Sequence, residues 1–289
     1  MPMETITGET ELATQLSAAG FSWRESGGVR ALSCGPLERD GFTNAFSTRA
    51  GGVSPMPAAA LNLAGFNDDA AENIRENRRR FLSLLGGRWS LAACWQVHGS
   101  DVRVVREASE ARALAGSEEE HCDALATNVP RVLVGVKTAD CVPVLLGDAR
   151  TGACAAVHAG WRGTLAEIVG RAVERLSAEY GTRAADVRAA IGPAARGCCY
   201  EVGREVIDAF HEKFPRAGEW FKETREGHAL VDLQRANLQQ LVAAGVPRGR
   251  VHTLPLCTMC RTDLFFSYRR EKKLHGRTGR LLSVIGKKD

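Results

Sequence analysis

Residues 131–164, "RVLVGVKTADCVPVLLGDARTGACAAVHAGWRGT", decide the fold. Three apolar runs, "RVLVGVK" (131–137), "VPVLLG" (142–147) and "GACAAVHA" (152–159), are each too short for a helix and are bounded by Gly, Pro or Asp. They read as short buried strands. The next stretch, "TLAEIVGRAVERLSAEYG" (164–181), places Leu165, Ile168, Val169, Ala172, Val173 and Leu176 at helical spacing. Thr164 and Glu167 match a capping box at its start, and Gly181 suits its end. Strands that are apolar throughout, followed by a helix with one apolar stripe, imply a sheet covered by helices.

Working outward, a short helix is expected at 9–18 and another at 70–85, ending on glycines. The segment 47–65 combines glycines and two prolines and reads as a long ordered loop of the kind that lines sites. On the C-terminal side, "VRAAIGP" (187–193) reads as a strand, helices follow near 203–213 and 232–244, and strands are expected at 250–256, 263–268 and 280–285. Helices and strands alternate loosely, which gives a mixed-sheet α/β or α+β domain. No repeat or linker divides the chain, so residues 1–40 read as an N-terminal extension packed on one domain spanning 41–289.

Composition narrows the function classes. The 289 residues are enough for a sizeable core, and 38 basic against 34 acidic residues leave a net charge of only +4 with scattered arginines. Nucleic-acid binding is not indicated. No basic-then-apolar leader or bilayer-length apolar run is visible, and nine cysteines in a chain this large read as reduced thiols of a cytoplasmic protein.

Three segments share one form: an apolar run ends at a metal-capable side chain followed by Gly or Pro. They are "CWQVHGSDV" with His98, "VKTADCVPVLL" with Cys141 and "AAVHAGWRG" with His158. Two imidazoles and a thiolate would leave zinc one open position for water or substrate, as in catalytic rather than structural sites. Taken singly, each residue has a plainer reading, a hydrogen-bonded strand-end histidine or a small buried thiol, and the spacing matches no compact zinc motif.

The ordered blocks "STRAGGVS", "LNL", "WQVHG", "CDALAT", "TADCVPVLL", "VHAGWRG", "IGPAARGCCYEVG", "DLQRAN" and "DLFFSYRR" run from about residue 40 to 286. They resemble the motif series of the laccase-domain family, also called the YfiH or multicopper polyphenol oxidase family. Its members are described as zinc-dependent purine nucleoside phosphorylases. The resemblance implies an α+β fold, mixed sheets sandwiched by helices, with 41–289 as the catalytic domain. It also implies His98, Cys141 and His158 as metal ligands, the same three residues the strand ends select. It gives the "CCYEVG" block no ligand role, so Cys198–Cys199 and Cys257-x-x-Cys260 are not expected to form a second metal site.

An oxidase would need blue-copper ligation, two His and a Cys, plus a copper cluster built on His-x-His pairs. Seven histidines and no such pair disfavour it, although a His-Cys-His site can bind copper. Phosphorolysis of a purine nucleoside asks instead for cations around phosphate, and Arg49, Arg162 and Lys137 are the candidates, with Asn62 and Gln96 as polar substrate contacts. A helix starting near Thr164 would add a favourable dipole beside His158. Asp123 and Asp140 are expected to orient the ligands. The implied reaction converts adenosine, inosine or S-methyl-5'-thioadenosine plus phosphate to base and sugar phosphate, with adenosine deaminase activity in addition. Two alternatives stand beside it: a copper-dependent phenol oxidase, and a cysteine-hydrolase-like editor of cell-wall precursors using Cys141 as nucleophile. Oligomeric state is left open by the sequence.

Overall fold

A computed structural model of the chain describes residues 9–55, 59–65, 69–114 and 120–289. Among these, two six-stranded mixed sheets lie face to face. The first runs in the order Phe21–Ser26, Val29–Cys34, Phe42–Ser47, Leu281–Lys287, Val132–Thr138, Ser90–Ala93. The second runs Val251–Thr253, Arg188–Ile191, Val142–Gly147, Cys154–Ala159, Ala124–Thr127, Val102–Val104. Within each, most neighbours are antiparallel. Ser90–Ala93 joins the first sheet in parallel, and both edge strands of the second are parallel to their partners. A small antiparallel sheet of Glu201–Gly203, His228–Val231 and Phe221–Arg225 sits apart from them.

The three strands read from residues 131–159 are the centre of this arrangement, and their period-two geometry explains why they are apolar on both faces. Val132, Val134 and Val136, with Leu145, Cys154 and Ala156, face the layer between the sheets together with Phe42, Phe46 and Phe265. The alternate residues Val142, Val144, Leu146, Ala155 and Val157 meet Ile168, Val169, Ala172, Val173 and Leu176 of the helix Ile168–Tyr180. On the outer side of the first sheet, Leu133 packs with Phe81 and Leu85 of the helix Ala71–Leu85. The result is helix, sheet, sheet, helix, the α+β sandwich expected. Each fully buried apolar side chain in these layers contributes about 1.5–3 kcal/mol.

Two expectations need correction. The Thr164–Glu167 capping box does not form. A five-residue helix, Trp161–Leu165, already contains Thr164, whose buried hydroxyl accepts a hydrogen bond from Asn237 Nδ2 at 2.9 Å. Glu167 then adopts a left-handed conformation (φ 58°) before the long helix begins at Ile168. A tertiary contact has taken the hydroxyl that the local pattern assigned to a cap, and so short a helix supplies little dipole beside His158. Residues 263–268 are not a strand either. Phe265 and Phe266 are fully buried, but their backbone turns and Ser267 caps the helix Tyr268–His275 by accepting from Arg270 N. In the 47–65 segment, Ala50–Ser54 forms a short strand that bridges to Ala60, and 56–58 lie outside the described residues. Residues 21–34 form the hairpin at one edge of the first sheet.

Candidate active site

The strand register builds the site. Cys154–Ala159 pairs His158 with Pro143 and Ala159 with Val142, so Cys141, one residue earlier, falls opposite Gly160, diagonal to His158 at the same end of the sheet. On the other side Val157 pairs with Ala124, and the N–H of His158 donates to the Asp123 carbonyl at 2.7 Å. Three strand ends thus bring Asp123, His158 and Cys141 into one row. His98 arrives from a loop, and its Nδ1 or Nε2 joins His158 and Cys141 with all three donor atoms within 4.8 Å of one another.

Asp123 is the organiser. Its carboxylate is fully buried and accepts four hydrogen bonds. Oδ1 takes the N–H of His98 (2.9 Å) and faces His158 Nδ1 (2.7 Å), while Oδ2 takes the N–H groups of Val97 (3.1 Å) and Gly99 (2.7 Å). Three successive amides pointing at one carboxylate require an unusual turn, and His98 sits at φ 60°. Left-handed backbone at a non-glycine residue costs about 1–3 kcal/mol, which the buried carboxylate offsets with charge-assisted bonds. The same contact places the His158 proton on Nδ1 and leaves Nε2 facing Cys141.

Electrostatics follow from this packing. Burial pushes the Cys141 thiol up, but the His158 charge and hydrogen bonds from His158 and His98 outweigh it and hold it at about 6. Burial pushes His158 down, yet the Cys141 charge and the Asp123 hydrogen bond raise it to about 9. Asp123 is opposed by burial but kept below the ordinary carboxylate range by His158 and the loop amides. A thiolate and two imidazoles this close are a donor set suited to a borderline-soft divalent ion. Gly160 makes room for it: a Cβ there would lie 2.9 Å from His98 Cδ2 and 3.1 Å from Cys141 Sγ.

Asp140, the residue before Cys141, is fixed by other partners. It is buried at φ 87° and accepts from Thr258 Oγ1 (2.6 Å), Ser267 Oγ (3.0 Å) and Arg269 N (2.7 Å), while burial still raises its carboxyl above the usual value.

The donor set forms part of the wall of an open cavity of about 680 Å³. Of the residues expected from sequence, Gln96, Lys137 and Arg162 also line it. The Gln96 amide is engaged with the Lys137 backbone in both directions, donating to O (2.7 Å) and accepting from N (2.8 Å). Arg162 is exposed, lies 4.1 Å over the Trp161 ring and is 3.9 Å from Glu205. Arg49 and Asn62 do not line the cavity. Arg49 is buried against Glu271 (2.7 Å) and donates to the carbonyls of Thr262 and Phe265. Asn62 Oδ1 accepts from Ala64 N and Arg280 N. The sequence reading missed Tyr200, Arg269 and Arg280. Arg269 stacks 4.9 Å over the Tyr200 ring, and burial raises that phenol to about 12. The adjacent pair in "SYRR" and the Arg before the last strand carried a charge signal, but nothing local joined them to residues 98–162.

The model of the family described as multi-copper polyphenol oxidoreductase laccase matches residues 43–288. The chain belongs to this family. Within it, the purine nucleoside phosphorylase YlmD of Geobacillus stearothermophilus is 34% identical over 264 residues, 89% of this chain and 94% of that protein. Its crystal structure superposes with a TM-score of 0.83, covering 93% of this chain and 99% of the other. A purine nucleoside phosphorylase of Deinococcus radiodurans is 42% identical over 245 residues, 84% and 88% of the two chains. The adenosine deaminase RL5, from an unknown prokaryotic organism, is 36% identical over 241 residues, 81% and 91%. The family description speaks of several coppers, but all seven histidines lie among the described residues and only His98 and His158 converge in a group able to hold a metal. Among the described residues no helix is long and apolar enough to cross a membrane.

Proposed function

We propose that this chain is a zinc-dependent purine nucleoside phosphorylase, acting on adenosine, inosine or S-methyl-5'-thioadenosine with phosphate, and deaminating adenosine as a secondary activity. The observation that carries the reading is the convergence of His98, Cys141 and His158 within 4.8 Å, on a cavity that also presents Lys137, Arg162, Arg269 and Arg280. Two imidazoles and one thiolate would hold zinc with a position left open, where it would act as a Lewis acid on a substrate oxygen or on water. Relatives named purine nucleoside phosphorylase and adenosine deaminase support the substrate class.

Phosphorolysis joins a phosphate oxygen to the anomeric carbon as the bond from that carbon to the purine nitrogen breaks, and the departing base takes a proton. The chain's own residues supply positioning and charge. Guanidinium forks at Arg162, Arg269 and Arg280 suit a phosphate dianion, and Lys137 adds a point charge. Holding that dianion against the sugar converts a bimolecular encounter into an oriented one. Tyr200 stays a neutral phenol at physiological pH and offers an O–H donor with a ring face, while Trp161 and Tyr268 give apolar surface for a purine. The buried carboxylate of Asp123 would hold the His98 loop and His158 in place.

Protein of measured metal content, incubated with adenosine with and without phosphate, should release adenine only when phosphate is present. His98→Ala, Cys141→Ala and His158→Ala should each abolish it. Oxidation of phenols by copper-loaded protein that leaves adenosine untouched would overturn the reading. Metal-free hydrolysis of a peptide or amide would instead favour Cys141 as a nucleophile, a use of the thiolate that competes with ligation.

A further inference from the structure

A second group of metal-capable side chains lies outside this site. Cys198, Cys199, Cys257 and Cys260 place their four sulfurs within 4.8 Å of one another. Cys198 Sγ is 3.7 Å and Cys199 Sγ 3.1 Å from Cys260 Sγ. Those separations are far from the 2.05 Å or so of a disulfide. Four thiolates about 2.3 Å from a tetrahedral zinc would be roughly 3.8 Å apart, close to what Cys198 and Cys260 already show.

The backbone around them is arranged for sulfur anions. Residues 257–260, "CTMC", form a turn in which the amides of Met259 and Cys260 hydrogen-bond back to Cys257, and Arg196 N–H reaches the same sulfur. Adjacent cysteines argue against a shared ion when read from sequence alone. The turn at 197–199 resolves the difficulty, because it brings the sulfurs of both Cys198 and Cys199 within contact of Cys260. The two segments are also fastened together by backbone: Ala194 bridges to Cys257 in parallel, Thr258 N donates to Ala194 O at 3.0 Å, and Arg196 Nη1 donates to Pro255 O at 3.1 Å.

We propose that Cys198, Cys199, Cys257 and Cys260 bind one structural zinc ion as a closed tetrathiolate site, separate from the His98–Cys141–His158 site. Binding displaces the remaining thiol protons to solvent and leaves the complex with two negative charges. With all four positions taken by sulfur, the ion has no opening for substrate, so its role is to fix the chain. What it fixes matters for the cavity: Tyr200 follows Cys199 directly, and Thr258, between Cys257 and Cys260, holds the Asp140 carboxylate next to Cys141. The inference does not depend on the phosphorylase reading.

The test is metal content and thiol state of the full chain purified without chelator. Wild-type protein should carry two zinc ions per chain, and the combined His98→Ala, Cys141→Ala, His158→Ala variant one. Cobalt loaded into that combined variant should give the strong sulfur-to-metal charge-transfer and intense visible bands of a four-thiolate tetrahedral ion. Cys257→Ser with Cys260→Ser should lose one of the two zinc ions. If that variant does not fold, alkylation of wild-type protein replaces it. Exposed Cys198 and Cys260 should resist alkylation until zinc is removed, and then all four should react together. A combined variant that contains no zinc and takes up no cobalt, an intact mass short by the hydrogens of a disulfide, or free alkylation of the four thiols in zinc-replete protein would each overturn the proposal.

Discussion

Replacing Asp123 by Asn keeps the shape of the group at the centre of the site and changes only what it accepts. The carboxylate accepts two hydrogen bonds on each oxygen, from His98 N–H and His158 Nδ1 on Oδ1 and from Val97 and Gly99 N–H on Oδ2. An amide keeps one acceptor oxygen, and its NH₂ then meets two donors. Turned toward Val97 and Gly99 it faces backbone amides that cannot change. Turned to the Oδ1 side it meets the fixed amide of His98 as well, and the His158 contact survives only if the imidazole moves its proton from Nδ1 to Nε2, the nitrogen that faces Cys141. Two charge-assisted bonds lost at about 1.5–3 kcal/mol each predict a fall in unfolding free energy of roughly 3–6 kcal/mol. Loss of the orienting acceptor predicts metal affinity weaker by about 10–100-fold. Denaturant unfolding, competitive metal titration and nitrogen-15 NMR of the His158 ring measure the three effects. Destabilisation below about 1 kcal/mol together with an unchanged His158 tautomer would refute the assignment of Asp123 as the group that sets the ligands.

Gly160→Ala should fold, since φ is −69° there, but the methyl group would press on His98 and Cys141; a displacement near 1 Å predicts activity lower by about 100-fold with a much smaller change in Tm. Arg49→Ala leaves Glu271 buried without its partner and should cost about 3–5 kcal/mol in denaturant unfolding, while KM for phosphate stays at its wild-type value because Arg49 does not line the cavity. Burial raises the core thiol of Cys34 from 9.0 to about 11. A folded value above the unfolded one means stability fully present below about pH 9 and lost as pH rises toward 11, worth about 2–3 kcal/mol at one pKa unit per 1.36 kcal/mol. Denaturant midpoints measured from pH 8.5 upward should fall, and Cys34→Ala should flatten that slope even though it lowers stability at neutral pH.

The central strands were legible because burial on both faces makes 131–159 apolar residue by residue, and the donors because each stands where such a run stops. The register that sets Cys141 diagonally across from His158 was not legible, since strand pairing does not follow from spacing along the chain. Two local signals misled for the same reason. Thr164 looked like a cap until Asn237, from a helix some seventy residues later, engaged its hydroxyl. Arg49 looked like a phosphate ligand in a glycine-rich loop until Glu271 met it from the far end of the chain. Arg269 and Arg280 were missed in the opposite direction, because their neighbours in sequence say nothing about the cavity they enter. The four cysteines 198, 199, 257 and 260 were discounted because the resemblance gives their block no ligand role, and nothing in the spacing showed that two turns bring the pairs together.

The loop carrying His98 is anchored through its main chain: the amides of Val97, His98 and Gly99 all belong to Asp123, and none of those bonds uses a side chain of the loop. Val97 itself is about half exposed on the cavity rim. Identity at that position is therefore decoupled from ligand placement. On the proposed function, the surface shown to a nucleobase or sugar substituent would be exchangeable without moving the proposed metal donors, so that substrate range and donor geometry would drift independently within residues 97–99.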